Sequence, residues 1–91
     1  MNLFELAKNG LADIIASKSW TSEQLDKQDE FGRTALMYAA ISGHYHVIET
    51  LKAAGADLDI TDHDGRKAVD HAAQNGHSVS ILYLIEGGCG G

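Results

Sequence analysis

The chain has 91 residues, 44% hydrophobic and 22% charged, a balance that fits one folded domain rather than a disordered chain. Its 13 Asp and Glu against 7 Lys and Arg give a net charge of -6, which disfavours direct binding to nucleic acid or an anionic membrane and better suits a basic protein partner. No apolar run nears the roughly 18 residues that span a bilayer, and a single cysteine, Cys89, excludes an internal disulfide and a cysteine-based zinc module.

Met1 to Lys8 shows neither a basic flank before an apolar core nor a small-residue cleavage pattern, so no secretory signal is read there and a cytoplasmic location is expected. From Thr34 to Ile41, Leu36, Ala39 and Ala40 recur at helical spacing, with Thr34 as N-cap and Gly43 as the stop. From His44 to Ala54, Val47, Ile48 and Leu51 form the apolar stripe of a second helix, and Gly55 stands where a helix ends in the left-handed region. The Asp-x-Asp and Asp-Gly chemistry between Asp57 and Arg66 predicts a tight, hairpin-like connection. Near the C-terminus, Val79, Ile81, Leu82, Tyr83, Leu84 and Ile85 make an almost unbroken apolar helix. Leaving such a side chain in water forgoes about 1.5 to 3 kcal/mol. Val79, Leu82 and Tyr83 therefore form a candidate second interface, for a partner, a second copy of the chain or further repeats; alternatively Leu82 and Tyr83 pack into the last groove. The tail from Gly87 to Gly91, around Cys89, is compatible with each.

Aligned against itself, the chain repeats with an offset of 33, from Asp29 to Asp62. Leu36, Ala39, Ala40, Gly43 and His44 fall on Val69, Ala72, Ala73, Gly76 and His77, and Leu3, Ala7, Gly10 and Ile15 fall on Leu36, Ala40, Gly43 and Ile48. The expected units are 1–28, 29–61 and 62–91. Ala39-Ala40 and Ala72-Ala73 allow close helix approach, and neither helix pair buries its stripe without a neighbour, so stacking is obligatory. The pattern Asp29-x-x-Gly32-x-Thr34-Ala35-Leu36-x-x-Ala39-Ala40-x-x-Gly43-His44, continuing through Val47-Ile48, Leu51 and Gly55-Ala56-Asp57, resembles the ankyrin repeat. The resemblance covers nearly the whole chain and implies an all-α solenoid of stacked helix-turn-helix units with short hairpin-like connections. Two departures stand out. There is no proline, and Lys67 replaces the hydroxyl N-cap of the third unit, which leads us to expect lower local stability there.

The five histidines do not read as metal ligands. His44 and His77 occupy the family's Gly-His position, where the ring is expected to bond neighbouring backbone. His44 and His46 are two apart and point to different helix faces. The Asp62-His63-Asp64-Gly65 run fits a calcium loop only in a frame that puts Ile60 first and His71 twelfth, where Asp and Glu belong. Asp70 and His71 are adjacent, so on a helix they diverge by about 100 degrees and make a poor dyad. No phosphate-binding glycine loop occurs, and Cys89 lies in a glycine tail that positions no thiol. No catalytic residue, cofactor or metal is assigned; a histidine-based metal or hydrolase site at Asp70 and His71 is the competing reading from another class.

With no chemistry to place, function is expected on a surface, and the resemblance implies the concave side made by hairpin tips and first helices. Carried over position by position, the tip residues are Glu30, Phe31 and Arg33, then His63, Asp64 and Arg66. The inner-helix residues are Tyr38, Ile41 and Ser42, then His71, Gln74 and Asn75, with Lys8 and Asn9 before them. Phe31, Tyr38 and Ile41 are read as anchors in solvent-facing positions; the alternative for Phe31 is that it folds back as core. Glu23, Asp26, Asp29 and Glu30, and then Asp57, Asp59, Asp62 and Asp64, line the same edge, with Asp57 and Asp62 read as turn caps. The implied function is non-catalytic protein binding. Its alternative is a stoichiometric inhibitor or self-protection protein that covers a basic enzyme such as a nuclease.

Overall fold

Residues 2–85 are described by the computed structural model, in which every regular element is helical: α1 (Leu3–Lys8), α2 (Ala12–Ala16), α3 (Ser22–Leu25), α4 (Ala35–Ser42), α5 (Tyr45–Ala54), α6 (Ala68–Gln74) and α7 (Ser78–Ile85). Met1, Glu86 and the glycine tail with Cys89 lie outside the described residues. Local chemistry sets the helix ends. Thr34 is extended and its hydroxyl accepts the Met37 N–H at 3.3 Å, while Gly43, at φ 75, closes α4. Gly55 closes α5 in the same region, at φ 104. The helix over Ser22–Leu25 has no counterpart among the sequence expectations; Thr21 and Gln24 start it with a reciprocal capping box.

The third unit shows what Lys67 removes. Asp70 accepts the Lys67 N–H at 2.9 Å, which is the returning half of a capping box with no hydroxyl to complete it. Lys67→Thr is therefore expected to raise the unfolding free energy by about 0.5 to 1 kcal/mol in a urea titration; an unchanged midpoint would mean the α6 start is already satisfied.

Helices α1, α4 and α6 pack in a row, and α2, α5 and α7 form a second row behind them. Ala7, Ala39, Ala40 and Ala72 are fully buried where the rows meet, and Leu6, Ile15, Leu36, Ile48 and Leu51 fill the spaces between. Burying this apolar surface is the main favourable term, and each pair depends on its neighbour for it. The two repeated histidines register one unit on the next: the rings of His44 and His77 place Nε2 3.0 Å from the carbonyl oxygens of Lys8 and Ile41 respectively. Each ring lies against the glycine of the preceding unit. A Cβ built on Gly10 would lie 2.9 Å from the His44 ring, and one on Gly43 would lie 2.7 Å from the His77 ring.

Between the pairs the connections are tight turns rather than strands. Asp29 N donates to Arg33 O and Asp62 N to Arg66 O, both at 2.9 Å, and the two tips touch where His63 N donates to Phe31 O at 3.2 Å. Among the described residues no helix is long and apolar enough to cross a membrane.

Candidate functional site

The first hairpin tip is organised by one carboxylate. Asp29 Oδ1 accepts the backbone N–H groups of Phe31 and Arg33 at 2.9 Å each, and its Oδ2 accepts the Tyr38 hydroxyl. Burial acts to raise the Asp29 pKa, but the bonds from Tyr38, Arg33 and Phe31 with the Arg33 charge outweigh it and hold the carboxyl below its ordinary value. Burial and the same Asp29 bond push the Tyr38 phenol up. With its backbone fixed in this way, Phe31 points outward and is 55% exposed, so it is not core. The Arg33 guanidinium sits 5.4 Å from the Phe31 ring centre and 5.9 Å from that of Tyr38, and Lys8 Nζ lies 4.5 Å from the Tyr38 ring.

The second tip repeats the plan with different atoms. Asp62 Oδ1 accepts from Asp64 N and Arg66 N, and Asp62 Oδ2 lies 2.8 Å from His71 Nε2, whose N–H donates to it. Arg66 reaches the Gln74 side chain at 3.4 Å. His63, Asp64, Arg66, Gln74 and Asn75 are exposed there, as Glu30, Ser42, Lys8 and Asn9 are in the earlier units.

Two expectations are corrected. Tyr38 and His71, expected to face solvent, are 9% and 4% exposed. Each turns its polar atom inward to the hairpin Asp nine residues before it. Tyr38 also packs edge-on against Phe4, with ring centres 5.9 Å apart. The spacing from Asp29 to Tyr38 recurs from Asp62 to His71, and this repeat of a carboxylate and a ring donor was the available signal for both bonds. Ile41 is half-buried. It gives its carbonyl to His77, so it contributes backbone to the stack as well as a side chain to the surface.

The acidic edge is also partly spent inside the fold. Asp57 caps its own turn by accepting Asp59 N at 2.8 Å, and Asp26 accepts Asp57 N at 2.9 Å. Asp59 pairs with Lys67 at 3.5 Å, both exposed, while Glu23, Glu30 and Asp64 face water. On α7, Val79, Leu82 and Ile85 are 49%, 56% and 62% exposed, a stripe along one side of the helix. Tyr83 differs from them: it is half-buried and stacks on Tyr45 with ring centres 5.4 Å apart, and its carbonyl accepts from Lys52 Nζ. Of the expected second interface, Tyr83 packs inward and Val79 and Leu82 stay out.

Asp70 and His71 point apart, to the Lys67 N–H and to Asp62. Among the described residues no three His, Cys, Asp or Glu side chains converge as a metal site.

A family model described as ankyrin repeats, in 3 copies, matches residues 3–90. The chain is 44% identical over 50 residues to inversin from Gallus gallus, a stretch that is 55% of this chain and 4% of inversin. Among solved structures, it is similar to a chain in the complex of a predatory endopeptidase from Bdellovibrio bacteriovorus with an immunity protein, at TM-score 0.80 and 27% identity, covering 94% of this chain and 45% of that one. The chain thus spans less than half the length of either relative.

Proposed function

The chain belongs to the ankyrin-repeat family, and from that membership we propose that it is a non-catalytic module, with repeats at 1–28, 29–61 and 62–91, that binds a protein partner through its hairpin tips and inner helices. The observation that carries this reading is Phe31, a large apolar side chain held in water at 55% exposure on a turn fixed by three bonds to Asp29. A rigid aromatic on the outside is costly unless something covers it. Glu30, Arg33, His63, Asp64, Arg66, Gln74 and the outer edge of Ile41 and Ser42 complete the proposed surface, with Tyr38 and His71 behind it. The exposed carboxylates Glu23, Glu30 and Asp64, in no ion pair among the described residues, favour approach by a basic surface, an effect on encounter rate more than on final affinity.

The likeness to a chain from an endopeptidase–immunity protein complex supports a second reading, a one-to-one inhibitor that covers an enzyme. The α7 stripe of Val79, Leu82 and Ile85 is the competing contact, including contact with a second copy. One capture experiment from the source organism's lysate sorts these readings. Phe31→Ala is expected to lose the partner while the thermal midpoint stays within a few degrees, because Phe31 is outside the core. Capture that survives Phe31→Ala but fails in a Val79→Glu/Leu82→Glu variant would move the surface to α7. If the captured protein is an enzyme, one equivalent of the chain should silence it; full activity would sink the inhibitor reading.

A further inference from the structure

The inner face carries cations in a chain that is acidic overall. The ion pairs among the described residues are Lys67 with Asp59 and His71 with Asp62, so neither Lys8 nor Arg33 has a carboxylate in salt-bridge reach there. Asp29, four residues before Arg33, has turned both oxygens to Phe31 N, Arg33 N and the Tyr38 hydroxyl. Glu30 stands exposed on the tip without pairing. Lys8 and Arg33 instead lie within 4.5 and 5.9 Å of the same Tyr38 ring, and Arg33 also lies 5.4 Å from Phe31. Resting on rings restricts two long side chains before any ligand arrives, which lowers the entropy lost on binding. Lys8 is exposed, and Arg33, half-buried and near enough to Asp29 for its charge to act on that carboxyl, has a planar fork that matches a carboxylate in two-point contact.

We infer that the cluster of Lys8, Tyr38, Arg33 and Phe31 seats an acidic segment of a protein partner, one carboxylate lodged between Lys8 and Arg33 and an adjoining apolar side chain covering Phe31. The inference rests on the hairpin-tip surface being the contact face. The sign of the seat is opposite to that of the molecule, and screening reconciles the two: an edge carboxylate farther from the seat than the Debye length of about 8 Å is largely screened, while at contact the two local cations decide. A nucleic acid would bring a dense row of phosphates against the whole field of -6, whereas an acidic segment brings only a few charges.

The test uses a short fluorescent peptide alternating glutamate and phenylalanine, its lysine-for-glutamate counterpart and a single-stranded DNA oligonucleotide, each titrated against the whole chain by anisotropy. The glutamate peptide is expected to bind the wild type best. Lys8→Gln/Arg33→Gln should weaken it by about tenfold or more, and Lys8→Glu/Arg33→Glu should transfer the preference to the lysine peptide. Circular dichroism checks that both variants stay folded. The inference is overturned if the glutamate peptide does not bind, if its affinity is unchanged in the Gln variant, or if the wild type prefers the lysine peptide or the DNA. Loss of partner capture in Phe31→Ala but not in Lys8→Gln/Arg33→Gln would leave the hairpin-tip surface standing and remove only the acidic segment.

Discussion

Asp62→Ala is expected to lower the unfolding free energy by about 3 kcal/mol or more, the cost typical of removing one partner from a buried polar pair. Asp62 is 7% exposed and holds three donors at once, the N–H groups of Asp64 and Arg66 and the ring of His71. Alanine leaves His71, itself 4% exposed, with no acceptor, and releases the turn that joins the second and third units. Asp64→Ala, two residues away on the exposed tip, is expected to change stability by about 0.5 kcal/mol or less. The same carboxylate gives the protein an acid limit. Burial acts to raise the Asp62 pKa, but the bonds from Arg66, His71 and Asp64 outweigh it and hold it below its ordinary 3.8. A carboxyl that is more acidic folded than unfolded contributes stability that is complete above the unfolded value and is lost as pH falls through the folded one. The urea midpoint should therefore fall below about pH 4, and the fall should be shallower in Asp62→Ala, which has already lost this share. Parallel acid profiles for the two proteins would show that Asp62 does not set the limit.

Gly43→Ala should be nearly as damaging, for a reason that a second glycine isolates. Gly43 and Gly76 lie one period apart with almost the same backbone, φ 75 and φ 71. Alanine at either position meets the left-handed penalty of about 1 to 2 kcal/mol. At Gly43 the new Cβ would also stand 2.7 Å from His77 Nδ1, where the ring is fixed by the Ile41 carbonyl, while no described residue lies within 4 Å at Gly76. The ring must move or its bond must break, adding about 1 to 3 kcal/mol, the usual range for overpacking. Comparing the two variants by denaturation cancels the backbone term. An equal loss in both would show that the His77 ring yields freely and that the histidine contact does not register the units.

Much of this architecture was legible because it is local or periodic. Thr34, Gly43 and Gly55 specify helix ends through their own hydroxyl or backbone freedom, and the ankyrin resemblance implied that His44 and His77 bond neighbouring backbone, as they do. Asp57 and Asp62 acted as turn caps, as Asx chemistry requires. The ankyrin resemblance implied Phe31 on the tip, with core as its alternative, and the exposed side chain there excludes the core reading.

The period is legible from self-alignment at an offset of 33, and the helix ends and turns are legible because each depends on residues within a few positions of one another. Which way the inner-helix side chains face depends instead on how the units pack. Tyr38 and His71 occupy positions that the ankyrin resemblance assigns to the open side, and each is drawn in because the folded-back hairpin brings an Asp over the helix. Asp26 looks like a free edge charge until packing carries the Asp57 N–H to it across 31 residues. Lys8 and Arg33 meet on the Tyr38 ring only when α1, the tip and α4 come together. A buried polar group takes whichever partner the stack presents, because leaving it unpaired costs more than the turn inward. That choice is made between units, where the 33-residue period specifies the spacing but not the atoms that meet.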